Sequence, residues 1–196
     1  MSSGELLLEV RAEEIPARML PGAARELATR LFEELVARGL MPGEVETGFT
    51  PRRLWLVLKD LPVKEKDRPI LEIGPPASAA FDAEGRLTPA ALGFAKKFGA
   101  DSSSLKRKVF SKKDELETGT VLGEATRRPV KVKAEGDRIY LEHTYQGRRT
   151  REILAELIPS LLRSLSWAKS MKWGSGVGPW VRPVHGVVAL FEGEVV

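Results

Sequence analysis

Residues 5–61, ELLLEVRAEEIPARMLPGAARELATRLFEELVARGLMPGEVETGFTPRRLWLVLKDL, decide the fold, because four elements can be read from them in order. Residues 5–11 alternate, with Leu6, Leu8 and Val10 on one side of an extended chain and Leu7, Glu9 and Arg11 on the other. That period of two predicts a strand with one buried face. Glu13-Glu14-Ile15-Pro16 ends it. Pro21 then stands where the first turn of a helix tolerates a missing N–H. Ala24, Leu27, Ala28, Leu31, Leu35 and Val36 follow at helical spacing, and Gly39 supplies a C-terminal stop. The spacing predicts a helix over 18–38. Val45, Thr47 and Phe49 predict a short alternating strand, broken at Thr50-Pro51. Residues 53–60, RLWLVLKD, are apolar enough for a well-buried strand. The short break makes the two an antiparallel hairpin. The order to this point is β-α-β-β.

At Leu61-Pro62 the character changes. Residues 62–104 carry Pro62, Pro69, Pro75, Pro76 and Pro89 together with Gly74, Gly85, Gly93 and Gly99. This reads as loop with one short helix over 88–98, which Thr88 caps with Pro89 at the first helical position. Short strands are predicted over 106–110, 118–124, 128–134 and 138–145, with Glu135-Gly136-Asp137 as the turn between the last two. Thr150 then offers a helix N-cap. Ile153, Leu154, Leu157, Ile158, Leu161, Leu162 and Leu165 form an apolar stripe, with Pro159 inside it, so a kink or two abutting helices are expected. After a Gly-rich loop over 174–179, residues 183–191 predict a second apolar strand that turns at Glu192-Gly193-Glu194.

Dropping the middle stretch leaves β-α-β-β … α-β. That is the split βαβ order of a ferredoxin-like (RRM-like) α+β sandwich. The expectation is a body domain made of residues 1–61 and 150–196, interrupted by a small mixed α/β module over 62–149. A strand begins at Glu194-Val195-Val196 without room to form, so the chain is expected to be the front piece of a longer polypeptide.

Composition narrows the chemistry. In 196 residues, 42% are hydrophobic and 30% charged, which is ordinary for a globular protein and too apolar for a disordered one. The net charge of +4 permits a polyanionic partner without demanding one. There is no cysteine, which excludes disulfides, thiolate metal sites and cysteine nucleophiles, and fits a reducing cytoplasm. No apolar run approaches the length of a membrane span. His143 and His185 are the only histidines, too few for a histidine-rich metal site. There is no G-x-S-x-G elbow. The loop Gly174-Ser175-Gly176-Val177-Gly178 lacks the Lys-Ser/Thr ending of a phosphate loop and reads as a flexible connection. Glu13-Glu14 and Asp114-Glu115 read as solvated charges, because neighbours along an extended chain point to opposite faces. No catalytic constellation, no metal site and no cofactor site emerges. A free-standing nucleotidyltransferase is disfavoured, since no aspartate pair follows a Gly-Ser phosphate signature.

Basic residues say more. Lys106, Arg107, Lys108, Lys112 and Lys113 crowd one segment, and Arg148, Arg149 and Arg151 another; both read first as solvated faces. Between Leu157 and Phe191 there is no Asp or Glu, while Arg163, Lys169, Lys172, Arg182 and His185 alternate with Trp167, Trp173 and Trp180. Two readings stand. Cations and flat aromatics can hold the phosphates and bases of unpaired RNA. Equally, large aromatics fill cores and protein interfaces. Arg52-Arg53, at the tip of the predicted hairpin, can likewise face solvent or fork onto phosphate oxygens.

The segments LLLEVRAEEIPARML (6–20), TPRRLWLVLKDLP (50–62), IGPPASAAFDAEGRLTPAALGFAKKFGAD (73–101), KSMKWG (169–174) and WVRPVHGVVALFEGEVV (180–196) resemble, in that order, the N-terminal part of the β subunit of bacterial glycyl-tRNA synthetase. The resemblance covers about 5–105 and 138–196, with a departure between Lys106 and Lys133. It implies an α2β2 enzyme whose α subunit carries the class II site that uses ATP and Mg to activate glycine. It implies a β subunit that binds tRNA(Gly) and the α subunit and continues into an HD-type and an anticodon-binding region. It also implies similarity to the body and tail of archaeal CCA-adding enzymes, which grip the acceptor end of tRNA. No catalysis and no cofactor are then expected in this piece. Matching motifs make Arg52, Arg53, Lys172, Trp173, Arg182 and His185 the expected RNA-facing or interface residues, with Pro183 fixing the entry to the last strand. The alternative is a scaffold that docks the α subunit without touching RNA.

Overall fold

A computed structural model of the chain describes residues 2–121, 124–173 and 177–196. In chain order the elements are β1 (Ser3–Ala12), α1 (Leu20–Val36), β2 (Glu44–Thr50), β3 (Arg53–Pro62), β4 (Arg68–Pro76), α2 (Ala77–Ala80), α3 (Pro89–Lys97), β5 (Lys106–Phe110), β6 (Glu115–Val121), β7 (Glu124–Lys133), β8 (Gly136–Tyr145), α4 (Thr150–Ser164), β9 (Met171–Trp173), β10 (Val177–Trp180), β11 (Val184–Phe191) and β12 (Glu194–Val195). They divide into two compact units, a body of Met1–Lys66 with Gly147–Val196, and an interrupting unit of Asp67–Gln146. The sequence reading placed these boundaries at 61/62 and 149/150. Backbone pairing carries them further, because Lys64 bridges Arg149 and the Glu65 N–H donates to the Arg148 carbonyl at 3.0 Å.

The body is built on an antiparallel sheet in the order β12-β11-β1-β3-β2. Leu6, Leu8 and Val10 of β1 point to one face with Leu54, Leu56 and Leu58 of β3, and all six are buried. α1 covers this face with Leu20, Ala23, Ala24, Leu27, Leu31 and Leu35, and α4 adds Ile153, Leu154, Ile158 and Leu161 to the same core. The alternation of β3 is re-phased near its end. Gly4 faces Leu61 while Leu6 faces Leu58, so β3 carries an extra residue, and Asp60 there takes a positive φ of 53°. α1 stops as its sequence demands: Gly39 adopts φ 74°, and the Leu40 N–H reaches back to the Leu35 carbonyl at 2.9 Å.

Two expectations about α4 are corrected. Thr150 is not its N-cap, which is Arg149. The Thr150 side chain is fully buried and donates to the Pro62 carbonyl at 2.5 Å, while its N–H donates to Val63 at 2.9 Å. The hydroxyl therefore ties the start of α4 to the end of β3. The helix also runs unbroken through Pro159.

The interrupting unit has a sheet in the order β4-β8-β5 and a separate hairpin of β6 and β7. Pro69, Pro75 and Pro76 make β4 read as loop in the sequence. Its position at the sheet edge explains the difference, since an edge strand does not need every N–H. The predicted strand 118–124 spans the end of β6 and the start of β7, and part of it lies outside the described residues. Gly136 does turn, with φ 86°, but the strands on either side join different sheets. Thr88 caps α3 as expected, accepting from the Ala91 N–H at 3.5 Å. Ala80, Ala91 and Ile139 form a small core packed by Phe81, Leu87, Phe94 and Leu105. No helix among the described residues is long and apolar enough to cross a membrane.

Leu56→Ala leaves a cavity in the fully buried body core and is expected to cost about 2–5 kcal/mol. Val188→Ala, at a side chain 46% exposed, is expected to cost no more than about 0.5 kcal/mol. Urea unfolding of the two variants checks the contrast.

Candidate functional site

β1 lies between β3 and β11, so the chain that leaves it can reach both neighbours. Ala12 N–H donates to the Arg52 carbonyl at 3.0 Å, Glu13 N–H to Pro183 at 2.9 Å, and Ile15 N–H to Pro51 at 2.8 Å. Three loops, around residues 13–15, 51–53 and 182–185, are thereby tied together at one end of the sheet. Pro51 and Arg52 form the two-residue tip of the β2–β3 hairpin, with Thr50 paired to Arg53. Proline fixes the first central φ of such a turn.

The side chains on these loops form one charged cluster. The Arg52 guanidinium stands 3.6 Å from Glu13 Oε2, and Arg53 Nε stands 3.5 Å from Glu9 Oε1. Arg182 Nε donates to the Glu14 carbonyl at 3.0 Å. His185 owes its place to a β-bulge. Arg11 faces Gly186 and Ala12 faces Val184, so His185 is the extra residue on β11. From there its Nε2 donates to Glu13 Oε1 at 2.6 Å. This hydrogen bond holds the Glu13 carboxyl below the usual carboxylate range; desolvation opposes it, and the charges of Arg52, His185 and Arg11 add to it. Arg52 and Arg53 remain 65% and 49% exposed despite their partners, so both can exchange a carboxylate for another anion.

The site thus gathers Arg52, Arg53, Arg182 and His185 from four expected positions. Lys172 and Trp173 lie apart from it on β9. Lys172 is exposed. Trp173 is half-buried against the body core, and Trp167 and Trp180 meet edge to face at 4.8 Å between ring centroids. The Trp180 N–H donates to the Leu162 carbonyl at 2.9 Å. Packing, not base stacking, therefore accounts for Trp180, which is buried. Trp173, Trp180, Val10, Leu162, Val184 and Val187 line an apolar cavity of about 420 Å³. The Gly-rich segment 174–176 lies outside the described residues.

Several residues of the other basic clusters meet carboxylates. Lys106 pairs with Glu142 at 2.7 Å, Arg107 with Asp137, Arg148 with Glu156 at 2.8 Å, and Arg151 with Glu194. Sequence reading singles out neither Glu9 nor Glu13 as part of this cluster. Sequence alone makes Glu13 a solvated charge, and nothing local marks it, since its partner is 172 positions away. Trp55 lies half-exposed on the face opposite the helices, where its ring covers Gly48; a Cβ there would sit 2.5 Å from the indole. An aromatic out of phase with Leu54, Leu56 and Leu58 was the available signal.

Glu13→Gln gives a pH test. A carboxyl whose pKa is lowered on folding stabilises above its ordinary value of 4.5 and ceases to do so as pH falls through its folded value. Wild type is expected to melt above the variant at pH 7, with the difference shrinking below pH 4.5. Paired thermal melts at pH 7 and pH 3 measure it.

The model of the family described as glycyl-tRNA synthetase beta subunit matches residues 6–196, including 106–133, where a departure was expected. Proteins named glycine–tRNA ligase beta subunit are similar to the chain throughout. That of Syntrophus aciditrophicus is 37% identical over 194 residues, and that of Trichlorobacter lovleyi 41% over 196, each match covering 99% of this chain and 25% of the relative. That of Geobacter metallireducens is 37% identical over 192 residues, covering 98% and 25%. The chain thus spans about a quarter of the length of the curated relatives it matches. With a family-model match from Leu6 to Val196 and relatives at 37% and 41% identity across the chain, the chain belongs to the glycyl-tRNA synthetase beta subunit family.

Proposed function

We propose that this chain is the tRNA-handling N-terminal part of a glycine–tRNA ligase beta subunit, acting within an ATP-dependent α2β2 ligase complex in the cytoplasm. Its body is a ferredoxin-like (RRM-like) sandwich, a reading supported by the strand order β11-β1-β3-β2 with two helices on one face. The single observation that carries the functional reading is the convergence of Arg52, Arg53, Arg182 and His185 on three tied loops of a chain in this family. Guanidinium groups present paired donors to phosphate oxygens, and exposed ion pairs cost little to exchange. The relatives' names speak of a ligase and of a beta subunit, which supplies the alpha partner and the reaction.

In this reading adenylate formation, with ATP and Mg, belongs to the alpha subunit. The present chain positions RNA. Holding the acceptor end of tRNA(Gly) beside the partner's active site removes much of the entropic barrier to acyl transfer. The fixed loops serve this because their backbone geometry is set before the RNA arrives.

A second reading rests on a different observation. The apolar cavity beside β11, with Val184 and Val187 exposed, suits a protein partner, and the chain would then dock the alpha subunit without RNA contact.

Titration of labelled tRNA at two salt concentrations tests the first reading. The double variant Arg52→Ala with Arg53→Ala is expected to weaken binding and to lower the salt slope by roughly one to two. Melting temperature should change little, since both side chains are exposed and such ion pairs add little stability. Unchanged tRNA affinity together with retained co-purification of the alpha subunit would favour docking instead.

A further inference from the structure

Glu13 places its two carboxylate oxygens against two different side chains. Oε1 accepts from His185 at 2.6 Å, and Oε2 faces Arg52 at 3.6 Å. Those side chains come from separate loops, and Glu13 itself is fixed between them through its backbone N–H to Pro183. Two oxygens shared between two donors is also how a phosphodiester presents its non-bridging oxygens. All three side chains are exposed to comparable degrees, at 43% for Glu13, 47% for His185 and 65% for Arg52, so nothing buries the arrangement against exchange.

We propose that Glu13 is a built-in competitor of the RNA backbone: in the free chain its carboxylate occupies the place between Arg52 and His185 that a phosphate takes in the complex. The inference rests on the RNA reading given above and deepens it by naming the residue that regulates the site. Glu13 keeps the Arg52 guanidinium and the His185 ring partnered and correctly spaced when RNA is absent. It also raises the threshold for binding, because any phosphate must displace it. A weakly bound anion anywhere else on the surface gains nothing from this arrangement, so the competitor favours ligands that offer several phosphates together.

Glu14 provides the control. Its side chain is exposed one residue away, and it meets Arg182 through its backbone carbonyl rather than its carboxylate. Glu13→Gln and Glu14→Gln remove the same charge from the same loop, but only the first frees Arg52 and His185. Both variants are compared with wild type for binding of fluorescently labelled tRNA at low and moderate salt, with circular dichroism showing each chain folded.

Glu13→Gln is expected to tighten binding roughly threefold to tenfold and to steepen its salt dependence by roughly one, while Glu14→Gln changes affinity less than about twofold. Equal effects of the two variants would overturn the competitor role while leaving the RNA reading intact. Weaker binding by Glu13→Gln would overturn it as well, marking Glu13 as a residue that only positions the loops. A change confined to retention of the alpha subunit would show that partner carboxylates, not phosphates, meet these cations. Absence of tRNA binding by folded wild type at low salt would overturn the RNA reading and this inference together.

Discussion

Three backbone hydrogen bonds, donated by Ala12, Glu13 and Ile15 as the chain leaves β1, hold the rest of the site in place. They exist because β1 is central in its sheet. A central strand has neighbours on both sides, and the N–H groups just past its end still need partners. Here the partners are carbonyls of Arg52, Pro51 and Pro183, which belong to the tip of the β2–β3 hairpin and the entry to β11. The leucines of β1 and β3 fix the register, since a slip by one residue would turn Leu6, Leu8, Leu54, Leu56 and Leu58 out of the core. Burial deep in the sheet thus decides where exposed arginines stand at its end.

The charges at that end balance closely. Arg11, Arg52, Arg53 and Arg182 stand among Glu9, Glu13 and Glu14, with His185 on Glu13. Exposed pairs of this kind add little stability and weaken with salt. Their interest lies in what they leave available, namely cations already spaced by the backbone and held by partners that water and anions can replace. The same logic separates this cluster from the charges on β5. Lys106 and Arg107 there reach carboxylates placed diagonally on the neighbouring strand β8, Glu142 and Asp137, which reads as ordinary cross-strand pairing.

Much of the body was legible because burial writes itself into periodicity. The alternation in β1 and β3 and the stripe in α1 each reported a buried face that the structure has. What stayed hidden depended on sheet position or on distant partners. The prolines of β4 looked like breaks because a sequence does not show which strand will be an edge. Thr150 looked like a cap, and its hydroxyl went instead to Pro62, 88 positions away. Arg52, Arg53, Arg182 and His185 were legible as candidates through the resemblance, and the structure brings these four together. Glu13 was not, because its role is created by a bulge in β11 and a hairpin tip that meet it only after folding. Trp180 reads ambiguously in sequence for the opposite reason, since an aromatic flanked by cations has the same letters whether it packs or stacks.

The proposed RNA contact requires the three tied loops at one end of the sheet to respond together. Amide hydrogen exchange, followed by mass spectrometry on the chain with and without tRNA, addresses that most directly. Segments 11–15, 50–54 and 182–186 should gain protection together, with the interior of β1 unchanged. Protection that falls on 106–113 or 148–151 instead, or on only one of the three loops, would contradict it.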